Sequence, residues 1–213
     1  SGTSLSPSAM EINKRYFINE QGNSLFNGAA DTALLDYAIS DDAVWSCTTC
    51  YACVQVCPVG NEPMMDILEL RRKEVYDAKI PDELADVLRS LDEKGNSFNE
   101  SERRRSRWSR TLDFKLKDAT KEPVKYLWYV GDFASFNQIC QDTTRKVAEV
   151  LMVAGVDFGI MGKKEKSAGN DVRRVGEEGL FEVLVEQNIE SIESCEFEEI
   201  FTTDPHTFNT LKN

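Results

Sequence analysis

Four cysteines fall within eleven residues in the run Cys47-Thr-Thr-Cys50-Tyr-Ala-Cys53-Val-Gln-Val-Cys57-Pro58. This C-x2-C-x2-C-x3-C-P spacing is the bacterial [4Fe–4S] signature, in which close thiolates wrap the chain around an iron–sulfur cube. Spacings this short turn backbone N–H groups toward the cluster sulfurs, and Pro58, which has no N–H, turns the chain away. In two-cluster proteins the fourth cysteine of such a run ligates the other cube. With a single run present, Cys47, Cys50 and Cys53 are expected to hold one cube that lacks a fourth thiolate, and Cys57 to serve another. A structural zinc module is the competing reading, although zinc sites usually pair cysteines across a longer loop. Two disulfides this close would be strained.

Other residues able to do chemistry are few. Asp132, Glu165, Asp204 and His206 could converge at the C-terminal ends of strands, where open α/β sheets place their sites, and could bind a hard or borderline metal. The plainer expectation is that Asp204 and Asp132 cap helices and that His206, the single histidine, is hydrogen-bonded structure. Cys140 falls on an apolar helical face and is expected to pack in a core, whereas Cys195, in a polar turn, is a weak candidate for the missing ligand. Trp45, Tyr51 and the Tyr126–Tyr129 run could gate electron transfer or simply exclude water. The glycines between Gly155 and Gly162 follow a helix rather than a strand, which argues against a dinucleotide fingerprint.

Bulk properties narrow the class. A chain of 213 residues, 41% hydrophobic and 29% charged, has the composition of a globular protein. A net charge of −12 argues against nucleic acid as partner. The sign is uneven, since 103–125 carries nine basic and three acidic residues. Within it Arg103, Arg104, Arg105, Arg107 and Arg110 could form a docking face for an acidic partner, or a solvated linker. No apolar run approaches the roughly 18 residues of a membrane span. The first residues lack signal-peptide character, and clustered cysteines without such a signal point to metal binding in a reducing compartment. A cytoplasmic location is therefore expected.

The elements that must position these residues divide in character. Ser6-Pro7 starts a helix that Gly22-Asn23 should stop, and a short helix is expected over Asp31 to Ile39. After the cysteines, Asn61 should cap a helix with Met64, Ile67, Leu68 and Val75 on one face. Leu84, Val87, Leu88 and Leu91 mark a further helix ending at Gly95-Asn96. From 97 to 123 the pattern is polar and basic, read as a linker. Beyond Pro123, a strand over Val124–Val130, a helix over Phe136–Ala154, a strand over Val156–Met161, a helix near 176–192 and a strand over Glu199–Thr203 predict a parallel sheet. The expectation is α+β overall: a helical ferredoxin-like [4Fe–4S] region over 1–96, a basic linker over 97–123, and a small parallel α/β domain over 124–213.

Several of these residues also resemble a family. The run from Trp45 through Cys57-Pro58-Val59, followed by a helix carrying Arg71-Arg72, resembles the heterodisulfide-reductase-like iron–sulfur oxidoreductases of the CCG-domain family, as do Lys94-Gly95-Asn96 and Arg107-Trp108. These include the iron–sulfur proteins that pass electrons between electron-transfer flavoprotein and membrane quinone. The α/β part resembles a cysteine-rich CCG domain of that family. Family members carry two ferredoxin motifs and two CCG domains. The resemblance therefore implies an internal piece, with Leu5-Ser6-Pro7 following a first motif, Phe208–Asn213 closing a first CCG domain, and a membrane-anchored full-length protein. It also exposes departures. Gly131-Asp132, Ser167-Ala168-Gly169 and Asp204-Pro205-His206-Thr207 stand where the family has cysteines, while the framework residues Glu165, Arg173, Arg174, Gly176 and His206 remain. The resemblance thus implies a degenerate CCG domain kept for its shape. The function expected is a one-electron relay between a flavoprotein and a quinone or disulfide-type acceptor, with a non-catalytic scaffold or a structural zinc module as alternatives.

Overall fold

Ser6 has extended backbone, its Oγ accepts from Ala9 N, and Pro7 occupies the first helical position, so helix α1 (Pro7–Phe26) starts as expected. The computed structural model describes residues 2–28 and 32–212. It divides into one unit formed by 1–79 with 174–176, and a second formed by 80–173 with 177–213. In the first unit α1 runs through Gly22-Asn23 to Phe26. One glycine costs a helix only about 1 kcal/mol, which contacts made elsewhere along the helix can exceed. The short helix expected over Asp31 to Ile39 is a single turn, α2 (Leu34–Tyr37), with non-helical Leu35 and Asp36 inside it, and Asp31 lies outside the described residues.

Among the described residues of 1–79 three further helices follow: α3 (Asp41–Trp45), capped by Ser40, α4 (Ala52–Gln55) and α5 (Pro63–Tyr76). Glu62 rather than Asn61 is the N-terminal cap residue of α5. The helices share a core of Met10, Ile39, Ala43, Val44 and Ile67, on which Leu5, Leu35, Cys47 and Leu70 pack. The cysteine segment is thus anchored at one end, with Cys47 leaning on apolar side chains.

The second unit opens with α6 (Asp82–Lys94), which closes on Gly95 at φ +65°. Asn96 is fully buried and braces the exit: its Oδ1 accepts from the N–H groups of Phe98 and Glu100, and its Nδ2 donates to the carbonyls of Lys94 and Glu100. Leu91 packs with Val172 and Leu184, so α6 belongs with this unit and the boundary falls near residue 80 rather than 96. The expected linker is structure as well. It holds two 3-10 turns (Glu102–Arg104 and Arg107–Thr111), buries Arg105 and Trp108, and contributes strand β1 (Lys117–Asp118).

β2 (Tyr126–Tyr129), β3 (Phe158–Ile160) and β4 (Glu199–Thr202) join β1 in a parallel sheet of order β1-β3-β2-β4. The crossovers carry α7 (Asp132–Phe136) and α8 (Gln138–Val153), then α9 (Asn170–Val175) and α10 (Glu178–Glu193), and α11 (Pro205–Lys212) follows β4. Both faces of β2 are buried by alternation. Trp128 and Val130 face a cluster with Trp108, Ala148, Phe158 and Ile160, while Leu127 and Tyr129 face Ala119, Val124, Met161 and Ala168. The outer side of α8 stays in solvent despite its apolar content, with Ile139 80% exposed, and Cys140 is only half-buried. Leu127→Ala should therefore cost about 2–5 kcal/mol of stability, read as a lower midpoint in urea denaturation followed by tryptophan fluorescence.

Candidate metal centre

Each cysteine takes its place from a local backbone feature. Cys47 follows the C-terminus of α3, and its N–H reaches the Val44 carbonyl. Thr49 then adopts φ +52° and Tyr51 φ +65°, left-handed conformations that L residues adopt uncommonly. Those two reversals coil the chain between Cys47, Cys50 and Cys53. Tyr51 is the N-terminal cap residue of α4, which carries Cys53, and Cys57 follows its end. Gly60, at φ +73°, returns the chain toward α5.

Backbone donors point at two of the sulfurs. Thr49 N lies 3.4 Å from Cys47 Sγ and Asn61 N 3.2 Å from Cys57 Sγ. The Ala52 N–H, followed by the Thr48 hydroxyl, draws the exposed Cys50 thiol below its ordinary pKa. All four thiols are free, and Cys47, Cys53 and Cys57 are half-buried. Among the described residues no three Cys, His, Asp or Glu side chains converge to hold a metal ion. The donor chemistry nevertheless fits an iron–sulfur cluster: four unpaired thiols at ferredoxin spacing, in a coiled backbone whose N–H groups face sulfur.

Two arginines that the sequence marked only as part of a resemblance hold this segment. Arg71, on α5, is 5% exposed. Its guanidinium donates to the carbonyls of Val44 (2.8 Å), Trp45 (3.4 Å), Cys47 (2.7 Å) and Arg174 (2.8 Å), and it lies 5.2 Å from the centre of the Trp45 ring. Burial draws its pKa down, against the pull of Cys47, while the charge of Arg174 adds to the fall. Arg174 in turn donates to the Thr48 carbonyl and the Thr49 hydroxyl.

The second unit does not assemble the alternative metal site. Asp132, Glu165 and Asp204 do lie at or beyond the C-terminal ends of β2, β3 and β4, as expected, but each already has partners. Arg105, 2% exposed, donates to Asp132 Oδ1 (2.8 Å), Glu165 Oε1 (3.1 Å) and the Gly95 carbonyl (3.1 Å). Glu165 also accepts the N–H groups of Val130 and Gly131, each at 2.9 Å. Asp132 takes the Ser97 N–H and is not a helix cap. Asp204 does cap α11, accepting from Thr207 N and Oγ1. His206 is exposed, with Nδ1 3.3 Å from Asn170 Nδ2. Arg105 thus stands between Asp132 and Glu165, where a cation shared by those two would sit, while Asp204 and His206 have other partners. The arginine-rich docking face is corrected in part, because Arg105 is internal and Arg104 pairs with Glu100. Cys195 packs beside the sheet and donates to the Ser191 carbonyl, and burial pushes its thiol pKa up, the opposite of a poised ligand.

Comparison with known proteins agrees with this division. Residues 7–61 match a 4Fe-4S dicluster domain and residues 128–212 a cysteine-rich (CCG) domain. The chain belongs to the CCG-family iron–sulfur oxidoreductases. Within that family it is similar to the Bacillus subtilis protein named "Probable iron-sulfur-binding oxidoreductase FadF", 34% identical over 92% of this chain and 31% of the relative. A "Probable membrane-anchored ferredoxin" of Chromohalobacter salexigens is 36% identical over 85% of this chain and 26% of its own length. The "EtfAB:quinone oxidoreductase" of Syntrophomonas wolfei is 29% identical over 97% and 29%. The chain thus spans under a third of each of these relatives. No solved structure matches it. Among the described residues no helix is long and apolar enough to cross a membrane.

Arg105→Met leaves two buried carboxylates without their cation, which should cost about 3–5 kcal/mol at neutral pH. Burial already holds Glu165 above the ordinary carboxylate range, with Arg105 pulling the other way. Removing the arginine moves it further up, so the folded variant binds protons more readily than its unfolded chain. The deficit should then shrink as the pH falls. Denaturation midpoints of wild type and variant across the acid range check both the size and the sign.

Proposed function

We propose that this chain is the electron-transfer portion of a longer iron–sulfur oxidoreductase, with Cys47, Cys50, Cys53 and Cys57 as cluster ligands. The observation that carries the proposal is the coiled 47–61 segment, where free thiols at ferredoxin spacing sit under backbone N–H donors. A bound [4Fe–4S] cluster would supply one-electron transfer without bond making. The residues themselves do the rest: the N–H groups of Thr49 and Asn61 stabilise negative sulfur, and Cys47 is shielded by the α1–α5 core. On this reading Cys47, Cys50 and Cys53 serve one cube, and Cys57 serves a second whose other ligands come from a further motif.

In the whole protein the relay would run between a flavoprotein, such as an electron-transfer flavoprotein, and a quinone or disulfide-type acceptor, on the cytoplasmic side of a membrane anchor. The names of two relatives support the flavoprotein, quinone and membrane-anchor parts of that reading. The domain over 124–213 acts here as a degenerate CCG domain that keeps its shape, supported by the Arg105 ion pairs at its strand ends.

Anaerobically purified chain should be brown and contain iron and acid-labile sulfide. Colourless protein with stoichiometric zinc would overturn the proposal in favour of a structural zinc module. Cys50→Ser should lose most of its iron and sulfide while keeping its helical circular dichroism, and unchanged iron and sulfide would remove Cys50 from the ligand set.

A further inference from the structure

Every hydrogen bond that Arg71 makes among the described residues ends on a main-chain carbonyl. Its charge is permanent under ordinary conditions, and carbonyls satisfy the donors of a buried guanidinium without neutralising it. Arg174 brings a second guanidinium to the same stretch of chain, at Thr48 and Thr49. The two are linked, since Arg71 Nη1 donates to the Arg174 carbonyl at 2.8 Å. Both grip the residues leading into Cys50, where Thr49 takes its left-handed turn.

A steric observation shows how Arg174 is delivered. Gly176 has φ +98°, and a Cβ there would meet Arg72 N at 2.7 Å and the Arg71 carbonyl carbon at 3.0 Å. Only glycine lets the short 174–176 strap lie directly on the backbone of α5. The strap comes from far along the chain, yet it groups with the cysteine-bearing unit.

We propose that Arg174, with Arg71, forms a cationic clamp that positions the Cys47–Cys50 turn and supplies positive charge to a cysteine-held cluster. Arg174 is a positioning residue, acting through Thr48 and Thr49. The electrostatic half of this inference rests on the iron–sulfur reading above, whereas the positioning half does not. Positive charge beside a redox site favours its more negative state, so the clamp raises the reduction potential. Reduction adds one electron and breaks no bond; in the test below, dithionite supplies that electron.

The full chain is compared as wild type, Arg174→Gln and Arg174→Lys. In metal-free protein, hydrogen exchange at the Thr49 and Cys50 amides should be at least tenfold faster in Arg174→Gln, with the α1 and α5 amides unchanged. Arg174→Lys should also lose protection, because a lysine cannot reproduce the two-pronged grip. Exchange equal to wild type in both variants would overturn the positioning role. Should Arg174→Gln fail to fold, the lysine variant alone decides that point. In reconstituted protein, mediated redox titration should give a more negative midpoint for Arg174→Gln and a near wild-type midpoint for Arg174→Lys, which keeps the charge. Equal midpoints for wild type and the glutamine variant would overturn the electrostatic role. Wild type that takes up no iron and sulfide would defeat the iron–sulfur reading itself, and the exchange comparison would still judge the clamp.

Discussion

A guanidinium taken out of water needs a polar acceptor for each of its donors, and that demand organises the first unit around Arg71. The acceptors come from the end of α3, where a helix leaves its last carbonyls without intrahelical partners. Val44 and Trp45 are the last two residues of that helix, and Cys47 lies just beyond it. Two deficits cancel at one point: orphaned carbonyls at a helix end and orphaned donors on a buried side chain. Trp45 covers the cation with its ring face, a further favourable contact. The cysteine segment therefore leaves α3 in one direction, and its later left-handed residues coil from a fixed start.

The second unit solves the same problem with the opposite chemistry. Arg105 is as buried as Arg71, but its partners are the carboxylates of Asp132 and Glu165. Burial opposes the Arg105 charge, and those two carboxylates outweigh it, so its pKa rises above the ordinary value. Arg71, which lacks such neighbours among the described residues, moves the other way. One arginine is neutralised within its own unit. The other, among the described residues, has only main-chain carbonyls as hydrogen-bond partners, which satisfy its donors without neutralising its charge.

What could be read beforehand follows from the range of the interactions involved. Hydrophobic period and capping are local, so α6, α8, β2, β3, β4 and the start of α1 were legible, as were the thiol spacing and the parallel α/β order. β1 was not, because two residues, Lys117 and Asp118, carry no periodicity and exist as a strand only by pairing with Gly159 and Ile160. The reading of 97–123 as a linker failed for a related reason. An arginine-rich stretch reads as solvated unless its carboxylate partners are known, and Arg105 finds Glu165 sixty residues away. Arg174 and Gly176 were visible as family framework, but their hold on Thr48 and Thr49 depends on a contact more than a hundred residues long.

The strand ends of the second unit have one physical account. β2 lies between β3 and β4, so the chain reverses its winding there, and the strand ends beyond such a point leave backbone N–H groups facing a crevice. A carboxylate can satisfy those donors, as Glu165 does for Val130 and Gly131. A carboxylate brings a negative charge into a dry site, which Arg105 must balance, and Asp132 completes the arrangement with a second acceptor. Glu165 and Arg105 stay together because either alone would leave an uncompensated charge in the core.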